Sequence, residues 1–210
     1  MNEHESFELY LKELIEWNNK FNLTSITGPE AIRQKHFTDS LLLLQALRLT
    51  DQSVVDIGAG AGFPGLPLKL ACPEIKLTLV EATRKKVEFL DHLIKILGLK
   101  DAQAVWARAE EFARSNRERF DVAVARAVAD LRVLAELCLP LVRLGGVFVA
   151  YKEVGIEPEL AAAQPALAEL GGSLREVKIF PQRSLVIIDK TAATPSRYPR
   201  RPGIAKKKPL

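Results

Sequence analysis

The sequence predicts an α/β fold built on a mostly parallel β-sheet that ends in an antiparallel hairpin. Two observations carry this prediction. From Ser53 onward, short apolar runs alternate with helical segments, and the last two apolar runs are only a few residues apart. Alternation is typical of parallel strands covered by helices on both faces, whereas so short a connection joins antiparallel strands. A chain of 210 residues is long enough for one domain with its own core.

The segment before this pattern is predicted to be helical. Residues 5–21 place apolar side chains near helical spacing, with Glu and Lys between them. The stretch Asn22–Gly28 breaks this helix, and Pro29 opens a short second one. Thr38 or Asp39 is expected to cap a third helix.

Seven strands are expected in the rest of the chain. In chain order they are Val54–Ile57, Leu77–Val80, Ala104–Trp106, Phe120–Ala125, Val147–Tyr151, Leu174–Phe180 and Leu185–Asp189. The predicted helices between them include Lys85–Leu97, Val128–Val142 and Glu157–Leu170. Right-handed crossovers then give a doubly wound, Rossmann-like layer. A layer of this kind that finishes in a hairpin is typical of the Rossmann-like class I methyltransferases.

Charge is unevenly distributed along what we expect to be one domain. Its parts are a helical extension at 1–50, a core at 51–190 and a basic, proline-containing tail at 191–210. The basic residues from the end of the core onward are Lys190, Arg197, Arg200, Arg201, Lys206, Lys207 and Lys208, with no acid among them. A basic tail on a mildly acidic body is common in proteins that touch nucleic acid, and Tyr198 among arginines suits phosphate and bases. A solvated, disordered tail is the alternative.

Several classes of protein are excluded by composition. Two cysteines cannot build a disulfide framework, and no CxxC or Cys/His cluster offers a zinc site, so no metal is expected. The longest uncharged stretch, Ile57–Leu68, is too short and too rich in Gly and Pro to span a membrane. The acidic N-terminus lacks a secretory pattern. We expect a cytoplasmic monomer.

A glycine-rich loop follows the first predicted strand, with the sequence Asp-Ile-Gly-Ala-Gly-Ala-Gly-Phe-Pro-Gly. Glycines let the backbone approach a ligand closely and adopt positive φ. Gly60, Gly62 and Gly65 match the GxGxxG spacing of dinucleotide folds. Glycine at every second position from Gly58, preceded by Asp56, instead favours a cofactor with a positive sulfonium and an amino group. A tight turn without a ligand is a third interpretation.

Two acidic residues follow the next two strands. Glu81 ends the second strand and can accept hydrogen bonds from both ribose hydroxyls, which fits either cofactor. Ala109-Glu110 follow the third strand, where an adenine edge would lie, and Glu110 can accept from the adenine amino group. A surface acid that caps a helix is the alternative for Glu110.

The chemistry expected after the fourth strand needs no base. Arg126 stands where the methyl group would be transferred, with no Asn-Pro-Pro-Tyr or Asp-Pro-Pro-Tyr motif nearby and no Pro-Cys pair in the chain. Arginine cannot act as a base at neutral pH. A target that needs no deprotonation is therefore favoured, such as the N7 of guanine, and catalysis would be mostly positioning. Arg126 could touch the cofactor, a phosphate or guanine O6; a salt bridge at the sheet edge is the alternative.

At these residues the sequence closely resembles the bacterial small-subunit ribosomal RNA methyltransferase G family, also called glucose-inhibited division protein B. The resemblance covers nearly the whole chain. Its motifs are Asn22-Leu23-Thr24, residues 35–41, Asp56 through Pro67, Phe120 through Ala127, and Tyr198 through Leu210. The departures are mild: Thr38, Glu81-Ala82 and Ala205 stand where the family often has Leu, Asp-Ser and Pro.

The resemblance implies transfer of a methyl group from S-adenosylmethionine to the N7 of a guanine in 16S rRNA, in a loop near the decoding site of the small ribosomal subunit. The implied cofactor contacts are Gly58, Phe63, Glu81, Ala82, Thr83, Ala109, Glu110 and Arg126, beside Asp56, Gly60 and Gly62 from the loop pattern. Arg126, Lys152 and His36 are expected to position the reactants. The predicted RNA-binding residues are Asn22, Arg197, Tyr198, Arg200, Arg201, Lys206, Lys207 and Lys208. For His36, Asn22 and Lys152, packing or capping is the alternative.

Two other functions stay open on the residues alone. An NAD-dependent oxidoreductase would use Gly60, Gly62 and Gly65, but an obvious proton-donating Tyr/Lys or His/Asp pair is missing. An RNA-binding module could use the same fold without turnover, and the intact cofactor loop argues against it.

Overall fold

The computed structural model describes residues 2–126 and 129–210. Its strands are β1 (Ser53–Ile57), β2 (Lys76–Glu81), β3 (Ala102–Trp106), β4 (Phe120–Ala125), β5 (Val142–Lys152), β6 (Gly172–Phe180) and β7 (Arg183–Lys190). They form one seven-stranded sheet in the order β3-β2-β1-β4-β5-β7-β6. Strands β1 to β5 are parallel, and β7 runs antiparallel between β5 and β6. The predicted parallel sheet with a terminal hairpin is confirmed.

Helices precede the sheet and connect its strands. They are α1 (Glu3–Phe21), α2 (Pro29–Ile32), α3 (Asp39–Leu41), α4 (Gly65–Ala71), α5 (Arg84–Ile96), α6 (Ala109–Ser115), α7 (Leu131–Cys138), α8 (Glu157–Glu169) and α9 (Ile204–Lys207). A π-helical turn at Arg33–Thr38 and 3-10 turns at Leu42–Gln45 and Leu139–Leu141 complete them. Within the described ranges, none of these helices is long and apolar enough to cross a membrane.

Both faces of the sheet are covered. Neighbouring residues of β1 point in opposite directions, so Val54 packs with Tyr10 of α1 and Phe89 of α5. Val55 packs on the other face with Leu134 of α7 and Ala163 of α8. All six side chains are buried, as in an α/β layer whose strands are apolar on both sides.

The first helix begins two residues earlier than the apolar spacing indicates. Asn2 caps it, because the Glu5 N–H donates to Asn2 Oδ1 at 2.9 Å and the Asn2 N–H donates to Glu5 Oε2 at 2.8 Å. The helix ends at Asn22, whose left-handed backbone (φ 47°) stops it where the sequence predicts a break.

The predicted cap at Thr38 or Asp39 is wrong. Both residues have helical backbone, and neither accepts a capping hydrogen bond at the start of α3. The helical backbone runs on from Pro29 to Gln45 because the π-helical turn Arg33–Thr38 joins α2 to α3 without a break. This turn carries His36, so its geometry matters for the site described below.

Helix α7 is shorter than the prediction of Val128–Val142. Val128 lies outside the described residues, and the α-helix ends at Cys138. Pro140 explains the early end, since a proline has no N–H with which to continue the hydrogen bonds of the helix. The chain then makes one 3-10 turn and enters β5 at Val142, five residues before the predicted start of that strand.

The tail at 191–210 packs against the body of the protein, so the interpretation of a disordered tail is wrong. Tyr198 is 8% exposed and belongs to the core on the α7 side of the sheet. Arg200 forms a fork with the carboxylate of Glu136, with Nε–Oε1 at 2.9 Å and Nη2–Oε2 at 2.6 Å. Arg117 donates to the carbonyl oxygens of Thr194 and Tyr198.

Replacing Arg200 is expected to destabilise the protein. Glu136 is 1% exposed, so Arg200→Ala leaves a buried carboxylate without its cation and should lower the free energy of unfolding by about 2 kcal/mol. Arg197→Ala is the control, because Arg197 and Glu169 form an exposed pair, and pairs of this kind contribute little to stability. Urea denaturation measures both values. Equal losses from the two variants would contradict a structural role for the buried pair.

Candidate active site

The glycine-rich loop between β1 and α4 lies at the carboxyl edge of the sheet, where the strand order reverses between β1 and β4. The N–H groups of Gly58 and Ala59 donate to the carbonyl oxygen of Val80 at 2.9 and 3.2 Å. Gly58 and Gly60 have positive φ (74° and 59°), and a Cβ on Gly58 would meet nothing within 4 Å. The backbone here therefore borders open space, as a loop that cradles a ligand requires.

The other side of the loop is packed against the protein. A Cβ on Gly62 would come within 2.5 Å of Leu66 Cδ1 and 2.6 Å of the Tyr10 hydroxyl. The Tyr10 hydroxyl also donates to the carbonyl oxygen of Ala61 at 2.5 Å. Gly62 is buried, so the predicted cofactor contact at Gly62 is not supported; its glycine is needed for close packing against α1.

Asp56 lies beneath the loop. Its side chain is fully buried, Oδ2 accepts a hydrogen bond from the Gly65 N–H at 2.8 Å, and Oδ1 has no partner among the described residues. Burial raises the pKa of this carboxyl to about 7. A contact between Asp56 and the sulfonium or amino group of a cofactor stays a prediction. Within the protein, Asp56 holds the loop to the start of α4.

Glu81 joins the loop to the end of β2. Its Oε2 accepts from the Gly60 N–H at 3.1 Å, and its Oε1 accepts from the Thr83 N–H at 2.7 Å. Each carboxylate oxygen has a second lone pair, so the group can still accept from a hydroxyl. Ala82 and Thr83 follow it and are exposed.

Glu110 contacts the tail, a role that the sequence does not reveal. The carboxylate is 6% exposed, and its Oε1 accepts from the Gly203 N–H at 2.8 Å. Its Oε2 lies 4.0 Å from Arg108 Nε. An adenine amino group would therefore find Oε2 as the less committed oxygen, beside the half-buried Ala109.

Phe63 is the centre of a cluster of rings beside the loop. His36 stacks on it with 4.4 Å between ring centroids, and Tyr10 stacks at 5.3 Å. The guanidinium carbon of Arg126 lies 4.9 Å from the Phe63 centroid. Because Phe63 is 4% exposed, it positions these neighbours more than it offers surface to a ligand.

Arg126 is held in a fixed orientation at the end of β4. Its Nη1 donates to Asp39 Oδ2 at 3.1 Å and to the Lys35 carbonyl oxygen at 3.3 Å, and its Nη2 donates to His36 Nδ1 at 3.0 Å. Asp39 is fixed in turn, because its Oδ1 accepts from Arg183 Nε at 2.8 Å. The salt bridge that the sequence left as an alternative is present, and it orients the guanidinium.

His36 is a neutral ring in this network. Arg126 has only donors, so Nδ1 of His36 accepts, and the proton on Nε2 donates to Thr24 Oγ1 at 2.9 Å. Burial, reinforced by the charge of Arg126, lowers the pKa of His36 to about 4. His36 therefore positions Arg126 and does not transfer protons at neutral pH.

We expect the His36 ring to stay neutral in the folded protein until the pH falls to about 4. Because the pKa is lower in the folded than in the unfolded chain, the stability it contributes is complete above about pH 6.5 and is lost as the pH falls toward 4. NMR of the imidazole nitrogens measures the titration, and a His36→Gln variant identifies the signal. A midpoint close to 6.5 would contradict the network.

A cleft of about 950 Å³ opens beside Arg126, past the carboxyl ends of β4 and β5. Its charged walls combine Lys35, Arg126, Lys152 and Arg183 with the carboxylates of Asp39, Asp130, Glu153 and Glu159. Of the predicted loop and strand-end cofactor residues, only Arg126 lines it. Arg126 therefore stands between the cradle at the glycine loop and a second site, whose walls carry charges of both signs.

A family model described as rRNA small subunit methyltransferase G matches residues 3–186. The chain belongs to this family. The ribosomal RNA small subunit methyltransferase G of Halalkalibacterium halodurans is 47% identical over 98% of this chain and 90% of its own length. The relative of the same name from Pelotomaculum thermopropionicum is 47% identical over 97% of this chain and 89% of its own. The alternatives of an NAD-dependent oxidoreductase and of a module without turnover are not retained.

Solved structures support the fold. A putative S-adenosyl-L-methionine-dependent methyltransferase from Methanococcus maripaludis has a TM-score of 0.63 at 16% identity, covering 87% of this chain and 92% of its own. A 16S rRNA N2 G1207 methyltransferase from T. thermophilus, in complex with AdoMet and guanosine, has a TM-score of 0.53 at 19% identity, covering 75% of this chain and 40% of its own. The Rossmann-like methyltransferase fold is thus confirmed for this member of the methyltransferase G family.

Two further predicted residues of this methyltransferase are Lys152 and Asn22. Lys152 lines the cleft, but its Nζ contacts Glu159 Oε1 at 2.7 Å and the Ala129 carbonyl oxygen at 2.6 Å. Asn22 is exposed at the end of α1.

Across residues 2–126 and 129–210, no group of three or more His, Cys, Asp or Glu side chains is arranged to hold a metal ion.

The tail of the methyltransferase does not present all of its predicted RNA-binding groups. Tyr198 is buried in the core, so stacking of this ring on an RNA base is ruled out in this structure. Arg197 and Arg200 pair with Glu169 and Glu136. Arg201, Lys206, Lys207 and Lys208 are exposed, and for them RNA binding stays a prediction.

Three residues that contact the candidate site in this family member were not anticipated from the residues alone: Tyr10, Asp39 and Arg183. Tyr10 occupies an apolar position of an amphipathic helix and so resembles a core residue. Asp39 lies within a motif quoted for the resemblance, but without an assigned partner. Arg183 follows the short β6–β7 turn, and only the antiparallel pairing of β7 with β5 brings that turn to the cleft.

Proposed function

We propose that this protein transfers a methyl group from S-adenosylmethionine to the N7 of a guanine in the 16S rRNA of the small ribosomal subunit. The observation that carries the proposal is Arg126, which lies between the glycine loop and the cleft and has no free base among its hydrogen-bond partners. The partners that titrate are Asp39, which pairs with two arginines, and His36, which is neutral. A nucleophile that needs no deprotonation fits this site.

The residues at the loop fit S-adenosylmethionine. Gly58 and Gly60 leave open space beside the backbone, and the carboxylate of Glu81 can accept from ribose hydroxyls. Ala109 and Glu110 would border the adenine ring. When bound, this cofactor supplies an electrophilic methyl group on a sulfonium centre.

Arg126 would bind the guanine through the donors that the network leaves available. Arginine has five N–H donors, and for the Nε–H of Arg126 the described residues offer no acceptor. A donor at this position suits guanine O6, which leaves the N7 lone pair free. Lys35, Lys152 and Arg183 would hold phosphates around the base. The protein then contributes positioning, which can supply most of the rate enhancement of such a transfer.

The proposed substrate implies work in the cytoplasm, and we propose that the protein acts there as a monomer. The test is transfer of radiolabelled methyl from S-adenosylmethionine to small ribosomal subunits from a strain that lacks the modification, followed by nucleoside analysis. We expect label in 7-methylguanosine. Label in another nucleoside, or none on assembled subunits and on naked 16S rRNA alike, would overturn the proposal.

A further inference from the structure

Two aromatic side chains are exposed near the cofactor edge of the protein. Trp106 ends β3 and is 60% exposed, and Phe21 ends α1 and is 38% exposed. They are the only aromatic residues among the large hydrophobic side chains that the described part of the chain exposes. Exposed aromatic rings offer faces on which nucleic-acid bases can stack.

Each aromatic ring has a basic side chain over it. The guanidinium carbon of Arg84 lies 5.6 Å from the Trp106 centroid, and Lys85 Nζ lies 5.0 Å from the Phe21 centroid. Trp106 is also anchored, because its Nε1 donates to the Ala82 carbonyl oxygen at 2.9 Å. Since Arg84 and Lys85 are adjacent at the start of α5, the four side chains form one surface, which we call the α5 patch.

Charge favours an anionic partner for the α5 patch. Lys85 has no carboxylate within 4.0 Å among the described residues, and Arg84 has only the exposed i,i+4 partner Glu88 at 3.2 Å. An exposed pair of this kind is weak and readily exchanged for a phosphate. The neighbouring Lys86 and the start of the helix add to the positive potential.

The α5 patch is connected to the cleft along the surface. Phe21 is followed by the exposed Asn22, and Thr24, two residues further on, bonds to His36 at the cleft wall. Ile26 of the same short loop also lines the cleft. A strand of nucleic acid in the cleft therefore has a path over residues 22–26 to the patch.

We propose that the α5 patch binds single-stranded RNA next to the target guanine, with bases on Trp106 and Phe21 and phosphates on Arg84 and Lys85. Aromatic rings interleaved with cations are the means by which proteins hold unpaired nucleotides, since every base has a face that stacks. This inference rests on the proposed function. It also assigns to the patch the stacking role that the buried Tyr198 cannot perform.

Fluorescence tests the stacking directly. The chain has two tryptophans, so Trp17→Phe leaves Trp106 as the sole tryptophan. Titration with a 12-nucleotide oligouridine, which contains no guanine for the cleft, is expected to quench its emission at low salt, and added salt should reverse the quenching. Unchanged emission up to about 1 mM nucleotide would overturn the proposal.

Kinetics test the phosphate contacts. Arg84→Ala combined with Lys85→Ala is expected to raise KM for small ribosomal subunits about tenfold and to lower the slope of log affinity against log salt by about 1.4, at unchanged kcat and S-adenosylmethionine affinity. Lys95→Ala combined with Lys100→Ala is the matched control, because it removes the same charge at the opposite end of α5. Equal behaviour of the two double variants, or a KM change explained by lost cofactor affinity, would overturn the proposal.

The two proposals fail in different ways. Absence of methyl transfer by the unmodified protein would overturn the proposed function, while quenching of Trp106 by oligouridine would still show an RNA surface. Methyl transfer that the Arg84 and Lys85 replacements leave unchanged would overturn the α5 patch alone.

Discussion

Replacing Asp56 with alanine should reduce the affinity for S-adenosylmethionine by about a hundredfold, because it leaves the buried Gly65 N–H without its hydrogen-bond acceptor. Asp56 is buried under the loop, and its Oδ2 holds the Gly65 N–H at 2.8 Å. Without that acceptor, the loop loses its attachment to α4, and Gly58 and Gly60 lose the fixed backbone that a cofactor needs. Isothermal titration of the purified protein with S-adenosylmethionine measures the change.

Asp56→Asn is the variant that separates two roles of this residue. An asparagine oxygen can still accept from Gly65, so we expect it to retain most of the cofactor affinity if Asp56 acts by holding the loop. If a negative charge toward the cofactor were required, Asn and Ala would be equally poor. That outcome would support the direct contact expected from the sequence.

Comparison of the wild type with Asp56→Asn tests the ionisation of Asp56. Burial raises its pKa to about 7, above the value of an unfolded chain, so the folded protein binds this proton more tightly than the unfolded chain does. The stability from that proton is complete below about pH 4 and is lost as the pH rises through 7. The wild type should therefore lose stability relative to Asp56→Asn over this range, and parallel profiles would contradict a raised pKa.

Replacing Arg126 with alanine should lower kcat about a thousandfold, because one side chain both orients the cleft wall and supplies the donor proposed for the guanine. The variant removes one partner each from Asp39, His36 and Phe63 at once. Arg126→Lys should recover little of this activity, since an ammonium cannot make the same planar set of contacts. Single-turnover methylation of small subunits at saturating cofactor isolates this step.

Arg183→Lys provides the comparison for Arg126. Arg183 shares Asp39 with Arg126 and lines the same cleft, but it makes no contact with Phe63 or His36 among the described residues. We expect Arg183→Lys mainly to raise KM for the RNA. Equal losses of kcat from the two lysine variants would show that Arg126 acts only as one cation among several.

Local sequence was sufficient for the strands and the loop, because apolar runs and glycine spacing are properties of neighbouring residues. All seven strands overlap their predicted ranges, and β4 matches its range at both ends. Helix boundaries were less predictable where a π-helical turn or a proline intervened, as at Thr38 and Cys138.

The site was predictable only in part, because its connections are between distant parts of the chain. His36 and Arg126 are 90 residues apart in sequence, and Glu110 and Gly203 are 93 apart. No local pattern indicates that such residues meet. The charge of the tail led to the prediction that Arg200 and Tyr198 bind RNA. Charge alone does not reveal that Arg200 pairs with Glu136 or that Tyr198 is buried in the core.

The π-helical turn at Arg33–Thr38 also constrains how this segment can change in length. A π turn accommodates one residue more than an α turn, so deleting a single residue between His36 and Asp39 would restore α-helix and change the spacing of these two side chains along and around the helix. His36 could not then stack on Phe63 while Asp39 still met Arg126. Surface loops tolerate insertions and deletions, but this stretch has a fixed residue count. Length variation among working variants should therefore avoid it.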